Sequence, residues 1–117
     1  VTATYRSRIY IAGPMTGLPE YNRAAFLAAA SRITTAGYDC FSPTSLWQQA
    51  LVEHPWEHWL RLGLRELTYC DSIYMLQGWN NSRGAVLEWK LAHELGYNLY
   101  FEGTHFLEGT QQLDLSL

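Results

Sequence analysis

Asp71 to Gly96 read D-S-I-Y-M-L-Q-G-W-N-N-S-R-G-A-V-L-E-W-K-L-A-H-E-L-G, and this stretch decides the fold. Ser72 to Leu76 is a short apolar run closed by a loop from Gln77 to Ser82, which is the signature of a buried strand. A helix is predicted from about Arg83 to Leu95, entered through Ser82 and stopped by Gly96. Asn98 to Phe101 then reads as another strand. A strand, a crossover helix and a second strand pair in parallel with a right-handed connection.

The same unit recurs upstream. Arg8 to Gly13 (R-I-Y-I-A-G) is a strand closed by Gly-Pro, and Pro14 to Glu20 is turn-rich. A helix is expected from about Asn22, as its cap, to Gly37, with Phe26, Ala29 or Ala30, Ile33 and Ala36 on its apolar face. Tyr38 to Phe41 is a second strand, ended by Ser42-Pro43. Thr44 to Pro55 is less regular, with a helical turn around Trp47. A helix from about Trp56 to Tyr69 turns Trp59, Leu60, Leu64 and Leu67 inward. The tail from Gly103 onward carries weak signals and reads as mobile or as packed on another subunit.

This order gives an α/β fold, a small doubly wound parallel sheet, flavodoxin-like or Rossmann-like, of about four to five strands in order 2-1-3-4. The 117 residues suit one domain. In such sheets ligands bind at the carboxyl edge, where the strand order reverses. The loops Gly13 to Gly17 and Gln77 to Gly84 leave the two central strands at that edge.

Composition narrows the partners. The net charge is −3 with no basic run, so a nucleic-acid footprint is absent. No apolar stretch is long enough to span a membrane and no signal-peptide pattern is seen, so a cytoplasmic protein is expected. Cys40 and Cys70 sit in apolar segments and read as small buried hydrophobes. His54, His58, His93 and His105 are scattered, with no zinc spacing. Five Trp and eight Tyr offer flat surfaces for a ring-shaped ligand or a partner, as well as core filling.

Glu88 carries the chemistry. Its helical neighbours Ala85, Leu91, Ala92 and Leu95 make the face that packs on the sheet. A carboxylate in that stripe is costly to bury, so it is functional, or paired with Arg83 or a backbone group, or at the margin of the face. Ser82, Arg83 and Gly84 open the helix, where free amides favour an anion; Ser82 serves there as a cap, a phosphate donor or both. The loop A-G-P-M-T-G is neither a Walker A nor a G-x-G-x-x-G sequence; its glycines permit close approach of a ligand and Thr16 adds a hydroxyl, or Gly-Pro is a tight turn. Tyr10 lies on the first strand within reach of Glu88 if the helix packs over the switch point.

I-Y-I-A-G-P-M-T-G, Pro43 after the second strand, and C-D-S-I-Y-M-L-Q-G-W-N-N-S-R-G-A-V-L-E-W-K-L-A-H-E-L-G resemble DUF4406, a family of bacteria and their phages. They are similar also to the nucleoside 2-deoxyribosyltransferase superfamily, with its nucleoside 5′-monophosphate N-glycosidase branch. The resemblance implies that Glu88 attacks the anomeric carbon of a nucleotide and that Tyr10 orients it. It implies that Ser82 helps bind phosphate, that Gly13 to Gly17 line sugar and phosphate, and that the protein is a homodimer or larger. No metal or cofactor is implied. The expected substrate contacts are Gly13, Met15, Thr16, Gly17, Asp71, Trp79, Ser82, Arg83 and Gly84. One position departs from the pattern: the superfamily's leaving-group acid falls on Gly63, within Leu62-Gly63-Leu64. The expected function is therefore an N-glycosidase or deoxyribosyltransferase, with a non-catalytic nucleotide-binding module or an NAD-type glycohydrolase as alternatives. Without the acid, cationic leaving bases are favoured unless Glu66, Asp71 or water substitutes, and Gly63→Asp is expected to restore cleavage of ordinary deoxynucleotides.

Overall fold

The computed structural model describes residues 7–47 and 54–103. Four parallel strands, β1 (Arg8–Ala12), β2 (Asp39–Phe41), β3 (Ser72–Met75) and β4 (Asn98–Phe101), form one sheet in the order β2-β1-β3-β4. Helix α1 (Arg23–Thr35) connects β1 to β2. The short α2 (Thr44–Trp47) and α3 (Trp56–Leu67) lie between β2 and β3, and α4 (Arg83–Glu94) joins β3 to β4. The α/β class and strand order are those read from the sequence. The tail from residue 104 and part of the irregular stretch before Pro55 lie outside the described residues.

The two-residue period of β1 explains the layering. Ile9 and Ile11 face α1 and pack with Phe26, Ala29 and Ile33. Tyr10 and Ala12 face the other way and pack with Leu67 of α3 and with Ala85 and Ala92 of α4. A sheet covered on both faces needs apolar residues at consecutive strand positions, which is why β1 and β3 read as unbroken runs.

Three local expectations are corrected. Asn22 precedes α1 in a left-handed conformation without capping it, and its side-chain amide donates instead to the Pro14 carbonyl at 3.0 Å. The stripe of α4 is narrower than expected: Ala85, Glu88 and Ala92 are buried, Leu91 is half-buried, and Leu95 at the helix end is 48% exposed. On α3, Leu67 reaches the core, and Trp59, Leu60 and Leu64 are half-buried.

Candidate active site

Three elements converge on Glu88. On α4 the Ser82 hydroxyl accepts a hydrogen bond from the Ala85 amide at 3.2 Å, so the helix starts with a satisfied cap. From that start Ala85, Glu88 and Ala92 fall on the buried face. On β1 the phenol of Tyr10, fully enclosed and stacked on Phe41 at 5.6 Å, donates its hydroxyl hydrogen to Oε2 of Glu88. On α3 the backbone at Gly63 presses against the same pair. A Cβ there would stand 2.7 Å from the Tyr10 hydroxyl and 2.9 Å from Glu88 Oε2. The glycine is required by this close approach.

Burial sets the electrostatics. It pushes the Glu88 carboxyl up to about 7, and the hydrogen bond from Tyr10 pulls the other way. Burial, and then the adjacent Glu88 charge, hold the Tyr10 phenol well above its ordinary range. Glu88 is thus poised between its two protonation states near neutrality, while Tyr10 keeps its proton and serves as a fixed donor. Burial also lifts the Cys70 thiol to about 11, which makes it a poor nucleophile.

Glu88 and Tyr10 lie in the wall of a cleft of about 680 Å³. The cleft sits at the carboxyl edge of the sheet, between the loops that follow β1, β2 and β3. Its walls include Gly13, Met15 and Thr16 from the first loop and Pro43 and Leu46 after β2. Ser82, Gly84 and Ala85 come from the start of α4, and Trp56, Trp59, Leu60 and Gly63 from α3. Among the described residues no group of three His, Cys, Asp or Glu is gathered to hold a metal ion, and no helix is long and apolar enough to cross a membrane.

A family model described as a domain of unknown function, DUF4406, matches residues 7–101. The chain belongs to the DUF4406 family. No curated protein matches it. The DUF4406 domain is similar in structure to a 2-deoxyribosyltransferase from the psychrotolerant bacterium Bacillus psychrosaccharolyticus. The TM-score is 0.61 at 17% identity, over 86% of this chain and 77% of that one. At that identity the likeness is one of fold.

Of the residues named from sequence, Glu88, Tyr10, Gly13, Met15, Thr16, Ser82 and Gly84 share the cleft. Gly17 lies outside it, in the turn after Thr16. Arg83 does not line it either, but its guanidinium lies 4.2 Å over the ring of Trp56, which does. Trp79 packs elsewhere, against Trp89 at 5.6 Å and Phe101 at 5.9 Å. Asp71 stands at the amino end of β3, the opposite edge of the sheet, and accepts from the Ser72 hydroxyl at 2.8 Å. Gly13 has a packing reason of its own, since a Cβ there would meet Leu76 at 2.7 Å.

The DUF4406 domain also lines its cleft with residues that sequence reading left out of the site: Tyr21, Pro43, Leu46, His54, Trp56, Trp59 and Leu60. Trp56, Trp59, Leu60 and Gly63 have the i, i+3, i+4, i+7 spacing of one helical face, and that pattern was the available signal. The expectation that Gly63→Asp restores an acid meets a packing obstacle. A Cβ at Gly63 would stand within 3 Å of the Tyr10 hydroxyl and of Glu88 Oε2, so both groups must shift before a carboxylate enters beside Glu88. Glu66 and Asp71 do not line the cleft.

Proposed function

We propose that this domain cleaves the N-glycosidic bond of a nucleoside 5′-monophosphate or related nucleotide, by hydrolysis or by transfer, with Glu88 as nucleophile. The observation that carries the reading is the Tyr10–Glu88 pair: a buried carboxylate held by a phenol in the wall of an indole-lined cleft at the sheet's switch point. In the first step a Glu88 carboxylate oxygen bonds to the anomeric carbon, and the carbon–nitrogen bond breaks with its electron pair leaving on the base. In the second step water, or another base, attacks that carbon and releases Glu88. The bond from Tyr10 fixes the carboxylate and favours its ionised form against the cost of burial.

Trp56 and Trp59 supply flat apolar faces for a base. The start of α4, with Ser82 in the wall and the Arg83 guanidinium over Trp56, supplies hydrogen bonds and positive charge for the phosphate. Neither a metal nor a cofactor enters this chemistry. Assembly with further copies of the chain, as a homodimer or larger, belongs to the same reading, and light scattering at micromolar concentration tests it.

Nucleotide binding without turnover is the second reading. The packing of Gly63 on the pair favours it, since an acid there would crowd Tyr10 and Glu88. Chromatography of products after incubation with deoxynucleotides and NAD separates the two. Cleavage that falls by orders of magnitude in Glu88→Gln, with binding retained, supports catalysis. Turnover unchanged in that variant rules the mechanism out, and binding without products leaves the module.

A further inference from the structure

A departing neutral base needs a proton, and the cleft restricts where it comes from. Gly63 carries no side chain, and a Cβ there would crowd Tyr10 and Glu88. Tyr10 commits its hydroxyl hydrogen to Glu88. Glu66 and Asp71 lie outside the cleft. Among the described residues the remaining titratable groups in the wall are Tyr21 and His54. Tyr21 stands at the rim, 64% exposed, on the one-turn segment Pro19–Asn22. His54 lies edge-on against Trp59, with ring centroids 5.7 Å apart, and so abuts one of the indole walls that suit a base.

We infer that His54 is the general acid that protonates the departing base, an assignment that rests on the glycosidic reading of the cleft. The geometry gives it a partner. The imidazole of His58 stacks on that of His54 at 4.0 Å, with 22° between the planes. His58 titrates below a free imidazole, first through desolvation and then through the charges of His54 and Arg61. Imidazole is also the side chain suited to both halves of the reaction near neutral pH. In the first step imidazolium gives its proton to the base nitrogen that receives the electron pair. In the second step neutral imidazole takes a proton from the attacking water as that water's oxygen bonds to the anomeric carbon. The sum is nucleotide plus water to free base plus sugar phosphate, with His54 returned to its starting state.

The test compares wild type, His54→Gln and the control His58→Gln on the four common deoxynucleoside 5′-monophosphates and on N7-methyl-dGMP. Methylation makes the guanine leave without a proton while sugar and phosphate stay the same. Loss of general acid assistance lowers kcat by about 10²–10⁴-fold. His54→Gln is expected to show that loss on each unmethylated nucleotide the wild type cleaves, with kcat on N7-methyl-dGMP little changed and His58→Gln much milder. Equal losses on both kinds of substrate, or none on the unmethylated ones, overturn the assignment. So does a wild type that cleaves only N7-methyl-dGMP, since the site then works with no acid. A wild type that cleaves nothing, or matches Glu88→Gln throughout, is a different result: it removes the glycosidic reading itself.

Discussion

Replacing Gly63 by alanine tests whether α3 is built against the Tyr10–Glu88 pair. In an ordinary mid-helix position the change stabilises, because alanine exceeds glycine in helix propensity by about 1 kcal/mol. Here the new Cβ would meet the Tyr10 hydroxyl at 2.7 Å and Glu88 Oε2 at 2.9 Å, where ordinary contact begins at 3.4 Å. Relief requires shifts of about half an ångström or more in two groups that have little freedom. Tyr10 is 1% exposed and stacked on Phe41, and Glu88 is 7% exposed on the face of α4 that also buries Ala85 and Ala92. Overpacking of a core costs about 1–3 kcal/mol, and disturbing a hydrogen bond to a charged group costs up to about 3 kcal/mol more. These terms outweigh the propensity gain, so Gly63→Ala is expected to be less stable than wild type by about 1–3 kcal/mol. Urea unfolding followed by circular dichroism reads this as a lower midpoint at unchanged slope. A variant as stable as wild type, or more so, would refute the close approach and free this position for a side chain.

The remaining expectations concern the same cleft. Folded Glu88, with its carboxyl raised from 4.5 to about 7, keeps a proton through that window that the unfolded chain has lost. Its contribution to stability therefore falls as pH rises from about 4.5 to 7 and stays low above. Glu88→Gln removes that slope, so its stability relative to wild type should be higher at pH 8 than at pH 5 by about 2–3 kcal/mol, at about 1.4 kcal/mol per pKa unit; parallel urea-midpoint curves would show that burial does not govern this carboxyl. Tyr10→Phe removes the bond that lowers the Glu88 pKa, so the midpoint of the rising kcat-against-pH limb should move upward, and an unmoved midpoint would count against the pairing. Arg83→Ala should weaken binding of a nucleoside 5′-monophosphate by calorimetry and leave the unphosphorylated nucleoside unaffected, whereas equal losses would assign Arg83 to the packing of Trp56.

Much of this molecule was legible along the chain because the signals are local. A run such as R-I-Y-I-A or S-I-Y-M-L followed by a turn and an amphipathic helix marks a βαβ unit. Right-handed crossovers then leave few strand orders. Glu88 stood out because three and four residues on either side set its helical face. Its pairing with Tyr10, which is 78 positions away, depended on the strand order. The same local logic overreached at Asp71, which belongs to the motif but lies at the far edge of the sheet, and at Trp79, which packs on Trp89.

The tertiary structure alone decided the cleft's second wall and the meaning of Gly63. In sequence the glycine reads as a missing acid, because a pattern compares residue types at aligned positions and carries no distances. In space it is where a Cβ on α3 would stand within 3 Å of two buried oxygens, a relation among β1, α3 and α4 that no local periodicity encodes. His54, just before α3, and Trp56, at its start, likewise reach the cleft only through the packing of α3 against α4. Local propensity determines which segments become helix or strand; the close packing of those segments against one another determines which side chains share a site.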